Sequence, residues 1–110
     1  MKRISFLENC QFDTKPIITM MHESATAKEI RICMGQGSLM REHSAPGAII
    51  IMVLQGEVSI GSLETTAVLK SGDMVSFDPK VPHSLEAYEE SVLRLTLSKN
   101  DTFSRVAALL

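Results

Sequence analysis

From residue 16 onward, apolar positions fall in short runs broken by Gly or Pro, and the runs alternate. In 28–34, Ile30, Ile32 and Met34 share one face, and Glu29, Arg31 and Cys33 share the other. In 91–97, Ser91, Leu93, Leu95 and Leu97 oppose Val92, Arg94 and Thr96. A period of two is that of a half-buried strand. Further strands are predicted over 17–22, 39–44, 48–55, 57–60, 63–69, 74–77 and 83–88. The turns between them carry Gly35-Gln36-Gly37, Pro46-Gly47, Gly56, Gly61-Ser62 and Ser71-Gly72-Asp73, and the two prolines of 78–82 require a loop. Eight or nine short strands at close spacing argue an all-β sandwich or barrel. Only 101–110 has helical character, through Phe103, Val106, Ala107 and Leu110, with Asp101 as the expected N-cap. Residues 1–15 are unpatterned and read as an arm, residues 16–100 as the barrel, and 101–110 as a helix or tail.

The stretch 48–54 departs from simple alternation. Ile49, Ile51 and Val53 point one way and Ile50, Met52 and Leu54 the other, so both faces are apolar. A strand of a small barrel buries one face within its own core. The arm, the C-terminal helix or a second copy of the chain must cover the other. A homodimer is the expected cover, since exposed apolar patches of this kind mark interfaces.

Composition sets bounds on function. The 110 residues suffice for one domain, and the 45% of hydrophobic residues is ordinary for a globular protein. The net charge of −2 speaks against nucleic acid as a partner, because counterion release needs clustered Lys and Arg. The longest apolar run, 48–54, is far short of the roughly 20 residues of a spanning helix, so no membrane association is expected. Glu8 and Asn9 interrupt any export-signal pattern behind Lys2 and Arg3. Two cysteines, Cys10 and Cys33, are too few for a disulfide framework and suit reduced thiols in a cytoplasmic protein. Cys33 is expected as a small strand side chain, and Arg31, Arg41 and Arg94 as solvated residues on outer faces. The seven methionines read as core filler.

Candidate chemistry rests on histidine. His43 precedes the Pro46-Gly47 turn and His83 follows Pro82, so both sit at strand ends, where imidazoles face a barrel mouth. Met40-Arg41-Glu42-His43-Ser44-Ala45-Pro46, followed by Ile49 to Val53 and Leu54-Gln55-Gly56-Glu57-Val58, resembles the first motif of the cupin family. Ser71-Gly72-Asp73 through Pro82-His83 resembles the second, and the segment 57–71 between the motifs is similar in length to that of small microbial cupins. The resemblance spans about residues 28–97. It implies a jelly-roll, or double-stranded β-helix, barrel.

The same resemblance implies a metal motif that is only half kept. The family's first motif supplies two histidines and a glutamate, and its second supplies one histidine. Here these positions hold His43, Ala45, Ile49 and His83. Divalent transition-metal sites generally take three or more protein ligands. A third ligand would have to come from His22, Glu42 or Glu86, or from Met34, Met40 or Met52 for a soft ion such as Cu(I). The expectation is therefore a small-organic-molecule pocket without an obligatory metal, with His43 and His83 as its polar groups and aliphatic walls that include Ile51 and Val53. Two alternatives stay open. One is a metal-dependent enzyme of the isomerase, dioxygenase or decarboxylase type, built on His43, His83 and a further ligand. The other is a structural homodimer with a relic pocket.

Overall fold

The computed structural model describes all 110 residues. Nine strands form in chain order: β1 (Ile17–Glu23), β2 (Ala27–Met34), β3 (Leu39–His43), β4 (Ile49–Gln55), β5 (Glu57–Ser62), β6 (Thr65–Lys70), β7 (Met74–Phe77), β8 (His83–Ala87) and β9 (Ser91–Ser98). One short helix, α1 (Phe103–Ala107), follows. The strands make a five-stranded sheet of order β1-β2-β9-β4-β7 and a four-stranded sheet of order β3-β8-β5-β6. Every pairing is antiparallel.

Alternation sends one set of side chains between the sheets. On β4 these are Ile49, Ile51 and Val53, whose cross-strand partners on β9 are Leu97, Leu95 and Leu93. Val58 and Ile60 face them from the smaller sheet, with Leu85 and Ala87 as their cross-strand neighbours. Truncating one such residue, Leu93 for example, costs about 2–5 kcal/mol through lost transfer energy and the cavity left behind. Gly56 carries the chain from one sheet to the other. Its φ of +95° lies in the left-handed region, and a Cβ there would sit 2.3 Å from Ser91 Oγ.

Two expectations are corrected. Arg31 is buried, beside Cys33, whose burial agrees with its reading as a small strand side chain. The arm lies across them, with Arg31 Nη1 donating to the Glu8 carbonyl at 2.8 Å and Gly35 N–H to the Asp13 carbonyl at 3.1 Å. Arg31 is thus no solvated outer-face residue, because the sheet pattern alone does not show what passes over it. The N-cap of α1 is Thr102, not Asp101: Thr102 is extended, and its Oγ1 accepts from Arg105 N–H at 3.2 Å. Asp101 is instead the buried anchor of the segment. Its carboxylate accepts from Arg105 Nε at 2.6 Å and Nη2 at 2.8 Å.

The outward face of β4 remains open. Ile50 and Met74 are exposed, and with Met52, Arg94 and Thr96 they line a shallow hollow of about 170 Å³. The arm packs on β2, and α1 packs at the barrel mouth through Val106, a member of the core. No helix is long and apolar enough to cross a membrane.

Candidate functional site

His43 ends β3 and His83 begins β8, and the two are directly opposed across the strand pair. A register irregularity between Met40 and His43 decides what joins them. Residues three apart on a regular strand point to opposite faces. The irregularity cancels that, so Met40 and His43 both line the cavity. The rings of His43 and His83 meet edge to face with centroids 4.4 Å apart. Phe77, at the end of β7, stacks on His83 at 4.6 Å and 15°.

Both imidazoles are held in one tautomer by the backbone. His43 Nδ1–H donates to the Arg41 carbonyl at 2.6 Å, and His83 Nδ1–H donates to the Val81 carbonyl at 3.0 Å. A carbonyl only accepts, so each neutral ring keeps its proton on Nδ1 and offers Nε2 as an acceptor. Burial holds both imidazoles below their ordinary 6.5. The Nδ1 hydrogen bonds oppose this and the nearby Arg105 charge adds to it; His43 adds further at His83. The pair is neutral near pH 7.

The cavity between the sheets is lined by Ile32, Met40, Ile49, Ile51, Leu85 and Leu95 together with the two histidines, and by Arg105, Val106 and Leu109 from the C-terminal segment. Its free volume is about 10 Å³, room for about one water. Larger hollows, such as one of about 300 Å³ beside Thr14, Arg41 and Leu110, lie on the surface and hold neither histidine.

Of the residues expected to form the site, His43, His83 and Ile51 meet at the cavity, whereas Val53 lies deeper in the core and lines no part of it. Ala45 and Ile49 are each 4% exposed and apolar. Among the candidate third ligands only Met40 reaches the cavity. Glu42 and Glu86 are exposed, Met34 is buried elsewhere in the core, and His22 pairs with Glu29 on the β1–β2 ladder. No three His, Cys, Asp or Glu side chains are grouped to hold an ion. The donor set therefore does not fit the divalent metal that the motifs imply.

Phe77, Arg105, Val106 and Leu109 were not anticipated from the sequence. Only the Asp101–Arg105 spacing, one helical turn, hints that Arg105 is fixed in place.

A family model described as a cupin domain matches residues 30–98. The chain is a cupin. Its jelly roll is similar to solved structures across almost its whole length. An RmlC-like cupin from Desulfovibrio desulfuricans is 24% identical, with a TM-score of 0.81 over 89% of this chain and 96% of that one. The protein TT1209 from Thermus thermophilus is 17% identical, with a TM-score of 0.79 over 89% and 97%. An RmlC-like cupin from Shewanella frigidimarina is 21% identical, with a TM-score of 0.74 over 89% and 91%. At these identities the likeness establishes the fold. No curated protein matches the chain in sequence.

Proposed function

We propose that this cupin binds a small hydroxyl-bearing organic molecule between His43 and His83 and needs no metal to do so. The observation that carries the reading is the fixed tautomer of both rings. With Nδ1–H committed to the Arg41 and Val81 carbonyls, two neutral Nε2 acceptors are left beside aliphatic walls. Acceptors of this kind select a ligand that brings its own donors, as a hydroxyl does. Aliphatic walls with few oriented polar groups are the usual makeup of a small-molecule site.

Size adds a second requirement. Ligand pockets run to roughly 300–1,000 Å³, and the cavity here has about 10 Å³ free. Entry requires α1 to swing away and take Val106 and Leu109 out of the mouth. Five residues cannot hold a helix by themselves in water. The closed form depends on Val106 packing, the Thr102 cap and the Asp101–Arg105 pair.

The test is a thermal-shift screen of tag-free protein against small polyols and hydroxy acids, with their O-methyl ethers as controls. The reading expects hydroxyl compounds to raise Tm, the ethers to fail, and His43→Ala to abolish the shift; His43 is the less buried ring, so that variant keeps the fold. A screen without a stabilising hydroxyl compound leaves only a relic pocket. Shifts that survive both His43→Ala and His83→Gln place the binding elsewhere. Either outcome overturns the proposal.

Met40 favours one second reading. A thioether beside two imidazoles suits a soft monovalent ion. Stoichiometric Cu(I) binding that is lost in Met40→Leu would select it over the organic ligand. For the open face of β4 and β7 the proposed cover is a second copy of the chain, with Ile50, Met52 and Met74 meeting their counterparts.

A further inference from the structure

The outer face of β2 carries a separate chemical cluster. Arg31 and Cys33 lie two residues apart on the strand and share that face, where Thr19 and Ile17 are their partners on β1. The arm closes over both. Arg31 Nη1 donates to the Glu8 carbonyl at 2.8 Å and reaches Cys10 Sγ at 3.9 Å. Cys10 Sγ–H in turn donates to the Phe6 carbonyl at 3.4 Å. Cys10 is a near neighbour of Cys33.

Arg31 is the anomaly. It is only 9% exposed, its Nε is buried without a partner, and it makes no ion pair. A guanidinium that deep ordinarily has an anion beside it. The ionisable groups set next to it are two thiols. Gly35 fixes the arrangement, since a Cβ there would sit 2.4 Å from the Asp13 carbonyl oxygen. The arm is thus seated on the strand by close backbone contact.

We propose that Cys10 and Cys33 form a reversible dithiol–disulfide site oxidised by hydroperoxides, with Arg31 as the positioning counter-ion of the Cys10 sulfur. Cys10 is half-buried and meets an oxidant from solvent first; Cys33, 1% exposed, resolves. The Cys10 thiolate attacks one peroxide oxygen. The S–O bond forms, the O–O bond breaks, and the other oxygen leaves as an alcohol or water after taking a proton. The Cys33 thiolate then attacks the sulfenic sulfur. The S–S bond forms, the S–O bond breaks, and water leaves with the Cys33 proton. Two thiols lose two protons and two electrons, and one hydroperoxide takes them up.

Burial, and after it the neighbouring Cys10 thiol, push the Cys33 thiol up to about 11, so the resolving step quickens as pH rises. The product links the arm covalently to the five-stranded sheet.

The full-length chain is treated with hydrogen peroxide at pH 7 and pH 8.5, blocked with iodoacetamide and read by peptide mapping. Mapping keeps thiol chemistry separate from sulfoxidation of the seven methionines. A dithiothreitol-reversible Cys10–Cys33 peptide is expected, forming faster at pH 8.5. Cys33→Ser should leave a dimedone-trapped sulfenic acid on Cys10. Arg31→Met should slow the first step, and Arg31→Lys should restore part of the rate. Alkylation of both cysteines after peroxide would overturn the proposal, as would sulfinic acid on Cys10 with Cys33 still alkylated. Oxidation of Arg31→Met as fast as wild type would remove Arg31 from it.

Discussion

Val106→Ala tests whether α1 is a movable cover or part of the barrel. Val106 is 1% exposed and belongs to the core cluster that reaches the histidine cavity. The substitution removes two methyl carbons. At about 0.8 kcal/mol each, with a small residual-cavity contribution, the closed form loses about 2 kcal/mol. With about 2.1 cal/mol/K of unfolding entropy per residue and 110 residues, the most that Tm can fall is about 9 °C. If α1 opens locally, the same 2 kcal/mol multiplies the open population by about 30, since 1.4 kcal/mol is a factor of ten. The assay is modification by diethylpyrocarbonate followed residue by residue, with His22 on β1 as the internal reference. His43 and His83 should react up to about 30-fold faster while His22 keeps its rate. Uniform acceleration of all three histidines would mean that the site opens only by global unfolding, and the cover would be refuted.

Protonation gives a second expectation. Burial lowers both imidazoles below 6.5 in the folded state. The unfolded chain then binds protons first as pH falls, so stability is full above about 6.5 and declines between that value and the lowered folded values. Asp101 and Glu29 are lowered too: burial opposes, but the hydrogen bonds from Arg105 and the Thr102 N–H, and from Arg94 and Thr96, outweigh it. Their contribution is lost only below their ordinary 3.8 and 4.5. Urea unfolding in small pH steps should show the histidine decline first, and His43→Ala should reduce it; an unchanged slope in the variant would contradict the assignment. Met52→Lys places a charge in the open apolar hollow of β4 and should yield monomers or aggregates, so an unaltered sedimentation profile would remove the proposed dimer. Gly56→Ala should cost more than about 1 kcal/mol, because its left-handed φ and the Ser91 contact both exclude a Cβ; a melt within a degree of wild type would show that the turn relaxes.

Much of the fold was legible in the residues, because alternation and turn chemistry are local. Met74–Phe77 emerges with the bounds the pattern predicts, and Ile49, Ile51 and Val53 face inward as their parity requires. The convergence of His43 and His83 was legible through the two cupin-like motifs. What was not legible is non-local or breaks the period. The irregularity between Met40 and His43 reverses the parity that would have kept Met40 out of the cavity. Val106 and Arg105 enter the site from a segment whose docking no strand pattern encodes. Arg31 reads as solvated because nothing in β2 announces an arm across its outer face. Asp101 has the residue type of a cap, yet its carboxylate is taken by Arg105, and Thr102 caps instead.

Two neutral imidazoles with fixed tautomers are the proposed site for an organic ligand and not for a divalent ion. Long-range ¹H–¹⁵N spectra of the histidine rings, recorded while zinc is titrated into tag-free protein, distinguish the two. Nδ1–H tautomers for His43 and His83 are expected at pH 7, with no saturable change at one equivalent of zinc. Coordination of both Nε2 atoms in slow exchange at one equivalent would contradict the proposal.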